Sequence, residues 1–330
     1  MNAPGLEGNR CDCPDALNGE DNQAIGWRKP LVTALPLTVR VCIPHYYRPS
    51  DQATGLASTR SSTTAMTRSL AVGRCIASLL SQRRQPRDLM LNIHQRCIES
   101  LPGRTHARAL ELELVVCTDG RHALNEVLQC FAGAIRVQSF ALDDPRQLPL
   151  AARDHLIHHP QPVDLSMYLE DDLVLLDLQT FDKLDWFLQQ TKGEAVLMPH
   201  RIEPVQRRSL GQLLPDGPLR PGLVQPAFEP ANDVLQLQTA AGQSVSFDRP
   251  SNPHAGMFAV SRDQVKHLRE QELPREGFVS PLETAATLTV AAFYPVLKPT
   301  LRQRSFLQVE HGQPSYLYTL GQLPHRHSAG

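Results

Sequence analysis

Long apolar runs are missing from this 330-residue chain: none approaches the roughly 18 to 20 residues that span a bilayer, so no transmembrane helix is expected. An excess of basic charge is missing as well. The 33 Lys and Arg stand against 34 Asp and Glu, a formal net charge of −1, and the basic residues are scattered rather than blocked. That pattern carries no electrostatic footprint for nucleic acid. The opening "MNAPGLEGNRCDCPDALNGEDNQ" lacks the basic-then-apolar order of a secretory signal, and the chain is expected to be soluble and cytoplasmic. No internal repeat is present.

Cysteine is present seven times, an odd count, and Cys42 and Cys117 lie inside apolar strand-like runs. Those two read as reduced core thiols rather than as parts of a disulfide framework. Cys11 and Cys13 sit in a polar leader rich in Gly, Asn and Asp, where the composition favours an unstructured pair over a metal or redox site.

What is there is an alternation of apolar strands and amphipathic helices. "LTVRVCIPHYY", starting at Leu37, reads as a first strand stopped by Pro44, and "SLAVGRCIASLLSQ" reads as a helix packed on a sheet. Strands follow at "DLMLNIHQ" and "LELELVVCTDG", then a helix at "HALNEVLQCFA", a strand at "AIRVQSF", a helix at "LAARDHLIHH" and a strand at "DLSMYLEDDLVLL". This order predicts an α/β fold with a mostly parallel, twisted, Rossmann-like sheet flanked by helices, whose ligands bind at the carboxyl ends of the strands. Beyond it lie the helix "LQTFDKLDWFLQQ", the strand "EAVLMPHRI", and an irregular Pro-, Gln- and Gly-rich excursion from Glu203 to Pro253 with only "DVLQLQT" and "QSVSFD" as short strand-like pieces; order returns at "NPHAGMFAVSRDQVKHLREQ" and the helix "PLETAATLTVAAFY". The reading divides the chain into a flexible leader (1–36), one domain (37–320, with halves 37–178 and 179–320) and a tail (321–330).

Glu170, Asp171 and Asp172 stand in a row at the end of an apolar run. Adjacent carboxylates repel unless a cation, a proton or water relieves them, so such a cluster is costly unless it is solvated or used. Its hard oxygen donors suit Mg2+ or Mn2+. Strand alternation would send Glu170 and Asp172 to one side and Asp171 to the other. The bland alternative is a solvated acidic turn. In "DHLIHH", His155 and His159 share a helix face as zinc ligands do, but no zincin glutamate follows the first of them and Pro160 ends the helix at once.

The ordered set "VRVCIPHYY", "VVCTDG", "AARDHLIHHPQPVDLSMYLEDDLVL", "NPHAGMFAVSRDQ", "LETAA" and "VEHGQ" resembles the nucleotide-sugar glycosyltransferases of the GT-A fold. "VVCTDG" stands in for the family's "VVDDGS" signature, "ARD" for "ARN", and "EDD" for the Asp-x-Asp metal motif. Two departures touch base contact and metal geometry: Thr118 replaces the first acid of the second signature, and Glu170 begins the metal motif. No QxxRW-type segment is present, which sets the chain apart from processive polymer synthases.

The resemblance implies a metal-dependent transfer of a sugar from a nucleoside diphosphate donor, with uridine as the default base, to a glycan or other hydroxyl acceptor. It implies that Pro44, Tyr46, Asp119, Arg153 and Asp171 contact the donor, and that Glu170, Asp172 and His311 hold Mn2+ or Mg2+. Glu283 would be the base that deprotonates the acceptor in an inverting enzyme, with the excursion shaping the acceptor side. Ordinary alternatives stand beside three of these roles: a helix-surface cation for Arg153, a packing residue for His311, and a capping box with Ser280 for Glu283. A nucleotidyltransferase would instead place a Gly-rich, Lys- or Arg-bearing loop after the first strand, where "PHYYRPSDQATG" has one Gly and no Lys. A nucleotide-sugar-binding protein without catalysis is the third reading.

Overall fold

A strand covered on both faces needs an unbroken apolar run. Leu37–Pro44 comes close to one, interrupted only by Thr38 and Arg40, and forms β1, buried along nearly its whole length. The structure, a computed structural model, describes residues 35–49, 64–85, 87–102, 108–205, 211–220, 234–239, 241–313 and 315–319. Cys11, Cys13, the leader up to residue 34 and the tail 321–330 lie outside the described residues.

After β1 come α1 (Ala65–Leu80), capped by the Thr64 side chain, then β2 (Arg87–Asn92), β3 (Cys97–Pro102) and β4 (Leu110–Thr118). There follow α2 (Asn125–Cys130), β5 (Arg136–Ser139), α3 (Leu148–Ile157), β6 (Leu165–Leu169) and β7 (Leu173–Leu175). The second half holds α4 (Thr180–Gln190), β8 (Val196–Leu197), β9 (His200–Pro204), β10 (Gln212–Leu213), β11 (Leu235–Gln238) and β12 (Ser244–Asp248). It closes with β13 (Met257–Ser261), α5 (Arg262–Arg269) behind a Ser261 capping box, β14 (Val296–Pro299) and β15 (Gln308–His311).

The central sheet has the order β13-β6-β1-β4-β5, in which β6, β1, β4 and β5 run parallel and β13 pairs antiparallel to β6. The expected α/β architecture, a mostly parallel sheet flanked by helices, is the one the chain adopts. Chain order runs outward from β1 through β4 to β5 and then jumps back to β6 on the other side of β1. The switch point of the sheet therefore lies between β1 and β6, and the carboxyl ends of strands at such a point are where open α/β sheets bind ligands. α3 packs on β1 and β6, while α1 packs on β7 and α2. Tyr168 and Phe258 stack across the β6–β13 pair, with ring centroids 5.7 Å apart. Cys42, Cys75 and Cys117 are buried thiols in this core.

Three expectations change. "DLMLNIHQ" joins no parallel sheet; it pairs with Cys97–Pro102 as an antiparallel hairpin whose Leu89, Leu91 and Ile98 are exposed, because β4 takes the place beside β1. "DLSMYLEDDLVLL" is two strands in different sheets, broken at the carboxylates. "PLETAATLTVAAFY" is helical without a break from Pro281 to Ala291, with a π-type turn over Thr284–Leu288. The described part of the excursion is anchored as well: alternate residues Val245 and Phe247 of β12 are buried in the main core. Among the described residues no helix is long and apolar enough to cross a membrane.

Candidate functional site

β6 is buried at every position and stops at Leu169, which delivers Glu170, Asp171 and Asp172 to the tight connection into β7. The Glu170 amide donates to the Gly256 carbonyl at 2.9 Å, and the Leu173 amide donates back to the Glu170 carbonyl at 3.2 Å. Because the three acids sit in this turn rather than in a strand, simple alternation does not govern them, and each meets its own partners. All three are buried.

Asp171 is held from two sides. The Arg68 guanidinium, in the first turn of α1, donates through Nη2 to both of its oxygens at 2.6 Å, and His45 Nδ1 lies 2.6 Å from Oδ2. His45 Nε2 accepts the Leu124 amide at 3.1 Å, so the proton of the neutral ring belongs on Nδ1, pointing at Asp171. Asp172 shares Arg68, with Nη1 at 3.4 Å, and faces His311 Nε2 at 3.5 Å. Burial works against its ionisation, but His311 and then Arg68 outweigh that and hold its pKa well below the carboxylate range. Glu170 has only looser partners, Arg201 Nη1 at 3.8 Å and His254 Nε2 at 3.9 Å. Burial pushes its pKa up to about 8 against the pull of Arg201. One oxygen of each outer acid, Glu170 Oε1 and Asp172 Oδ1, is buried with no hydrogen-bond partner.

His311 is fixed from behind. Its Nδ1 lies 2.6 Å from Oε1 of Glu203, a fully buried carboxylate on β9 that also accepts the backbone amides of Tyr316 at 3.2 Å and Leu317 at 2.8 Å. Burial opposes protonation of the imidazole, but Asp172 and Glu203 raise its pKa to about 9. Arg201 is paired through Nη2 with Asp216 at 2.7 Å, and Lys298 Nζ donates to the His254 carbonyl at 2.5 Å. Burial lowers Lys298 to about 8 and His254 to about 3, so His254 is a neutral ring whose Nδ1 meets Thr287 Oγ1 at 2.9 Å.

Two glycines make room for this packing. A Cβ on Gly256, where φ is +68°, would lie 2.8 Å from Glu170 Oε2; one on Gly312 would lie 2.9 Å from the Asp172 carbonyl oxygen. The backbone thus approaches closely at Gly312, whose amide donates to that same carbonyl at 2.6 Å.

The other residues singled out from the sequence fall in several places. Pro44 is buried at the end of β1, and Tyr46 is tilted against His122 with centroids 5.3 Å apart; the residue between them, His45, is the one that reaches the acids. Both oxygens of Asp119 serve its own loop, accepting the amides of Arg121 at 2.9 Å and His122 at 2.7 Å and meeting His122 Nδ1 at 2.7 Å. Arg153 is wholly buried, and its guanidinium binds Asp154 at 2.7 and 2.9 Å and the Pro274 carbonyl at 2.5 Å; none of these contacts is with the acidic cluster. Glu283 accepts the Ser280 hydroxyl, while that hydroxyl accepts the Leu282 amide at 3.2 Å, so the pair departs from the capping-box pattern. Its charge reaches Glu170, whose pKa it helps to raise.

The expected three-ligand metal set is not assembled: among the described residues no group of three or more His, Cys, Asp and Glu is placed to hold a metal ion. The physical reason is the turn, which sends Glu170 toward Arg201 and His254 and leaves Asp172 facing His311. Two protein donors with an unpartnered Asp172 oxygen still fit Mg2+ or Mn2+, ions that take much of their shell from water and phosphate. His155 and His159 meet edge to face at 5.5 Å and join no such group. An open depression of about 880 Å3 on the Pro274 loop, lined by Asp154, His158 and Gln271–Glu276, shares no residue with the cluster.

Sequence reasoning missed Arg68, His45, Arg201, Glu203, Asp216, His254 and Lys298. The clearest signal was "HRIEP", where charged residues alternate in a short strand as inward-facing positions do.

No protein-family model and no curated protein matches the chain. Among solved structures it is similar to S. aureus TarS 1-349, at TM-score 0.39 and 11% identity over 79% of this chain and 57% of that one. It is also similar to GalNAc-T7 solved with UDP, GalNAc and Mn2+, at TM-score 0.42 and 11% identity over 84% of this chain and 43% of that one. The chain thus spans only about half the length of these two structures.

Proposed function

We propose that this chain is a glycosyltransferase of GT-A type, which moves a sugar from a nucleoside diphosphate sugar to an acceptor hydroxyl with the help of a divalent cation. The observation that carries the reading is the chain Asp172–His311–Glu203, placed at the carboxyl ends of β6 and β15 beside the sheet's switch point. A carboxylate facing an imidazole whose other nitrogen is held by a second, buried carboxylate is the arrangement metal-binding histidines use.

Asp172 and His311 would hold Mn2+ or Mg2+, which neutralises charge on the leaving diphosphate. Arg68 fixes Asp171 and Asp172 together, and His45 braces Asp171 from β1, so the acids are set before a donor arrives. The donor would lie over Pro44, Tyr46 and Asp171. As the bond from the sugar's anomeric carbon to the diphosphate breaks and the bond to the acceptor oxygen forms, the acceptor's proton passes to Glu283. The Ser280 hydroxyl engages Oε2 of that carboxylate, which leaves Oε1 to receive the proton.

The test is a panel of UDP-, GDP-, ADP-, CDP- and dTDP-sugars with simple glycosides as acceptors, with Mn2+ or with EDTA, read by mass spectrometry. Release of a nucleoside diphosphate with one sugar, lost in EDTA and in Asp172→Asn, supports the reading. Release of a nucleoside monophosphate with a sugar 1-phosphate, or no turnover of any donor, overturns it.

A further inference from the structure

Glu203 lies at the start of the stretch that reads as an irregular excursion, yet it is fully buried and accepts three hydrogen-bonding groups. One is the His311 ring at 2.6 Å; the others are the backbone amides of Tyr316 and Leu317 at 3.2 and 2.8 Å. A carboxylate buried this deeply is retained only when its oxygens are matched by donors. The division of labour between those oxygens is informative. Oε1 serves both His311 and the Tyr316 amide, while Oε2 serves the Leu317 amide, so one planar group ties the imidazole to the chain five and six residues downstream. Tyr316 in turn lies over the same region, its ring centroid 5.9 Å from that of His311 and 5.7 Å from the Arg201 guanidinium carbon.

Resting on the metal reading of Asp172 and His311, we propose that Glu203 is a positioning residue: it orients the His311 ring so that Nε2 faces Asp172, and it clasps the segment 315–317, so that cation loading and closure of this segment over the site are coupled. The physical link is short. Moving the segment away removes two of the three donors that hold Glu203, and a loosened Glu203 no longer fixes the ring. Conversely, a cation that pins Nε2 from the front fixes the ring, hence Glu203, hence the amides of Tyr316 and Leu317. Glutamine breaks the clasp with little change of shape, because one of its two terminal atoms becomes a donor: with its oxygen in the place of Oε1 it cannot accept the Leu317 amide, and turned round it cannot accept from His311 and the Tyr316 amide.

The full chain is titrated with Mn2+ alone by electron paramagnetic resonance, and exchange of the Tyr316 and Leu317 amides is followed with and without the ion. Glu203→Gln is expected to bind Mn2+ ten- to a hundredfold more weakly than wild type, the usual cost of losing such a supporting carboxylate. Glu203→Asp should recover part of that loss. In wild type, Mn2+ should slow exchange at both amides at least tenfold, and in Glu203→Gln this protection should vanish. A purely structural Glu203 would lower the melting temperature but leave Mn2+ affinity within twofold of wild type, and that result overturns the proposal. His311→Gln separates the two levels: if it binds Mn2+ as well as wild type, the metal reading fails and the proposal with it; if it loses Mn2+ while Glu203→Gln does not, only the proposal fails. Should Glu203→Gln not fold, the wild-type exchange measurement decides alone, and amides indifferent to Mn2+ refute the coupling.

Discussion

Glu170→Gln should make the metal-free protein more stable at neutral pH. Glu170 is buried, its Oε1 has no partner, and its nearest cation, Arg201, stands 3.8 Å from Oε2, beyond hydrogen-bonding range. Burial therefore raises its pKa from an ordinary 4.5 to about 8. An acid whose folded pKa lies above its unfolded one favours the folded state below the unfolded value, and that advantage is lost as pH rises toward the folded value. Between pH 4.5 and pH 7, at about 1.4 kcal/mol per pH unit, the cost grows to about 3 kcal/mol. Glutamine keeps the shape and never ionises, so it avoids that cost. For a chain of this size the gain corresponds to about 6 °C in melting temperature, taking about 2 °C per kcal/mol. Differential scanning calorimetry in EDTA, from pH 5 to pH 8.5, should show the gap between variant and wild type opening with pH and levelling off above about pH 8. A variant no more stable than wild type at pH 7.5, or a gap constant across the range, would refute the reasoning.

Arg68→Met should lower stability by about 3 kcal/mol in urea unfolding, because it strands Asp171 and Asp172 as buried carboxylates without their shared guanidinium; a loss below about 1 kcal/mol would show that His45 and His311 suffice. Gly256→Ala should cost at least about 2 kcal/mol, since its Cβ would press on Glu170 and Leu173 from a backbone with φ of +68°, and a near-neutral melting temperature would contradict the packing described. Glu283→Gln should lower kcat about a hundredfold or more with donor affinity nearly unchanged if the carboxylate takes the acceptor's proton, whereas a near-normal kcat at saturating donor and acceptor sinks that role.

The legible part of the fold is the part written in local pattern. The alternating-to-continuous apolar run from Leu37 and the helical spacing of Ile76, Leu79 and Leu80 announce β1 and α1 without help from the rest of the chain. The acidic cluster was legible because three carboxylates closing an apolar strand demand compensation. The compensation itself was not. Arg68 comes from 103 residues upstream of Asp171 and Glu203 from 108 residues upstream of His311, and no local spacing reveals such pairs. "DLMLNIHQ" misled because a strand's apolar alternation looks the same in a sheet and in a projecting hairpin. In the excursion the two short strand-like pieces were legible as β11 and β12, but nothing local showed that Val245 and Phe247 tie β12 into the core. Arg153 shows a further limit, since the "ARD" motif marks a position, and the buried guanidinium turns instead to its neighbour Asp154 and to the Pro274 carbonyl.

The central claim is that Asp172 and His311 form a cation-assisted site for a nucleoside diphosphate. Isothermal titration of the full chain with UDP, in Mn2+ and in EDTA, tests it directly. Wild type should bind UDP at least tenfold more tightly in Mn2+, and Asp172→Asn should show the same weak binding in both buffers while melting as a folded protein. Equal UDP affinity in Mn2+ and EDTA for wild type, or an undiminished Mn2+ effect in Asp172→Asn, would contradict it.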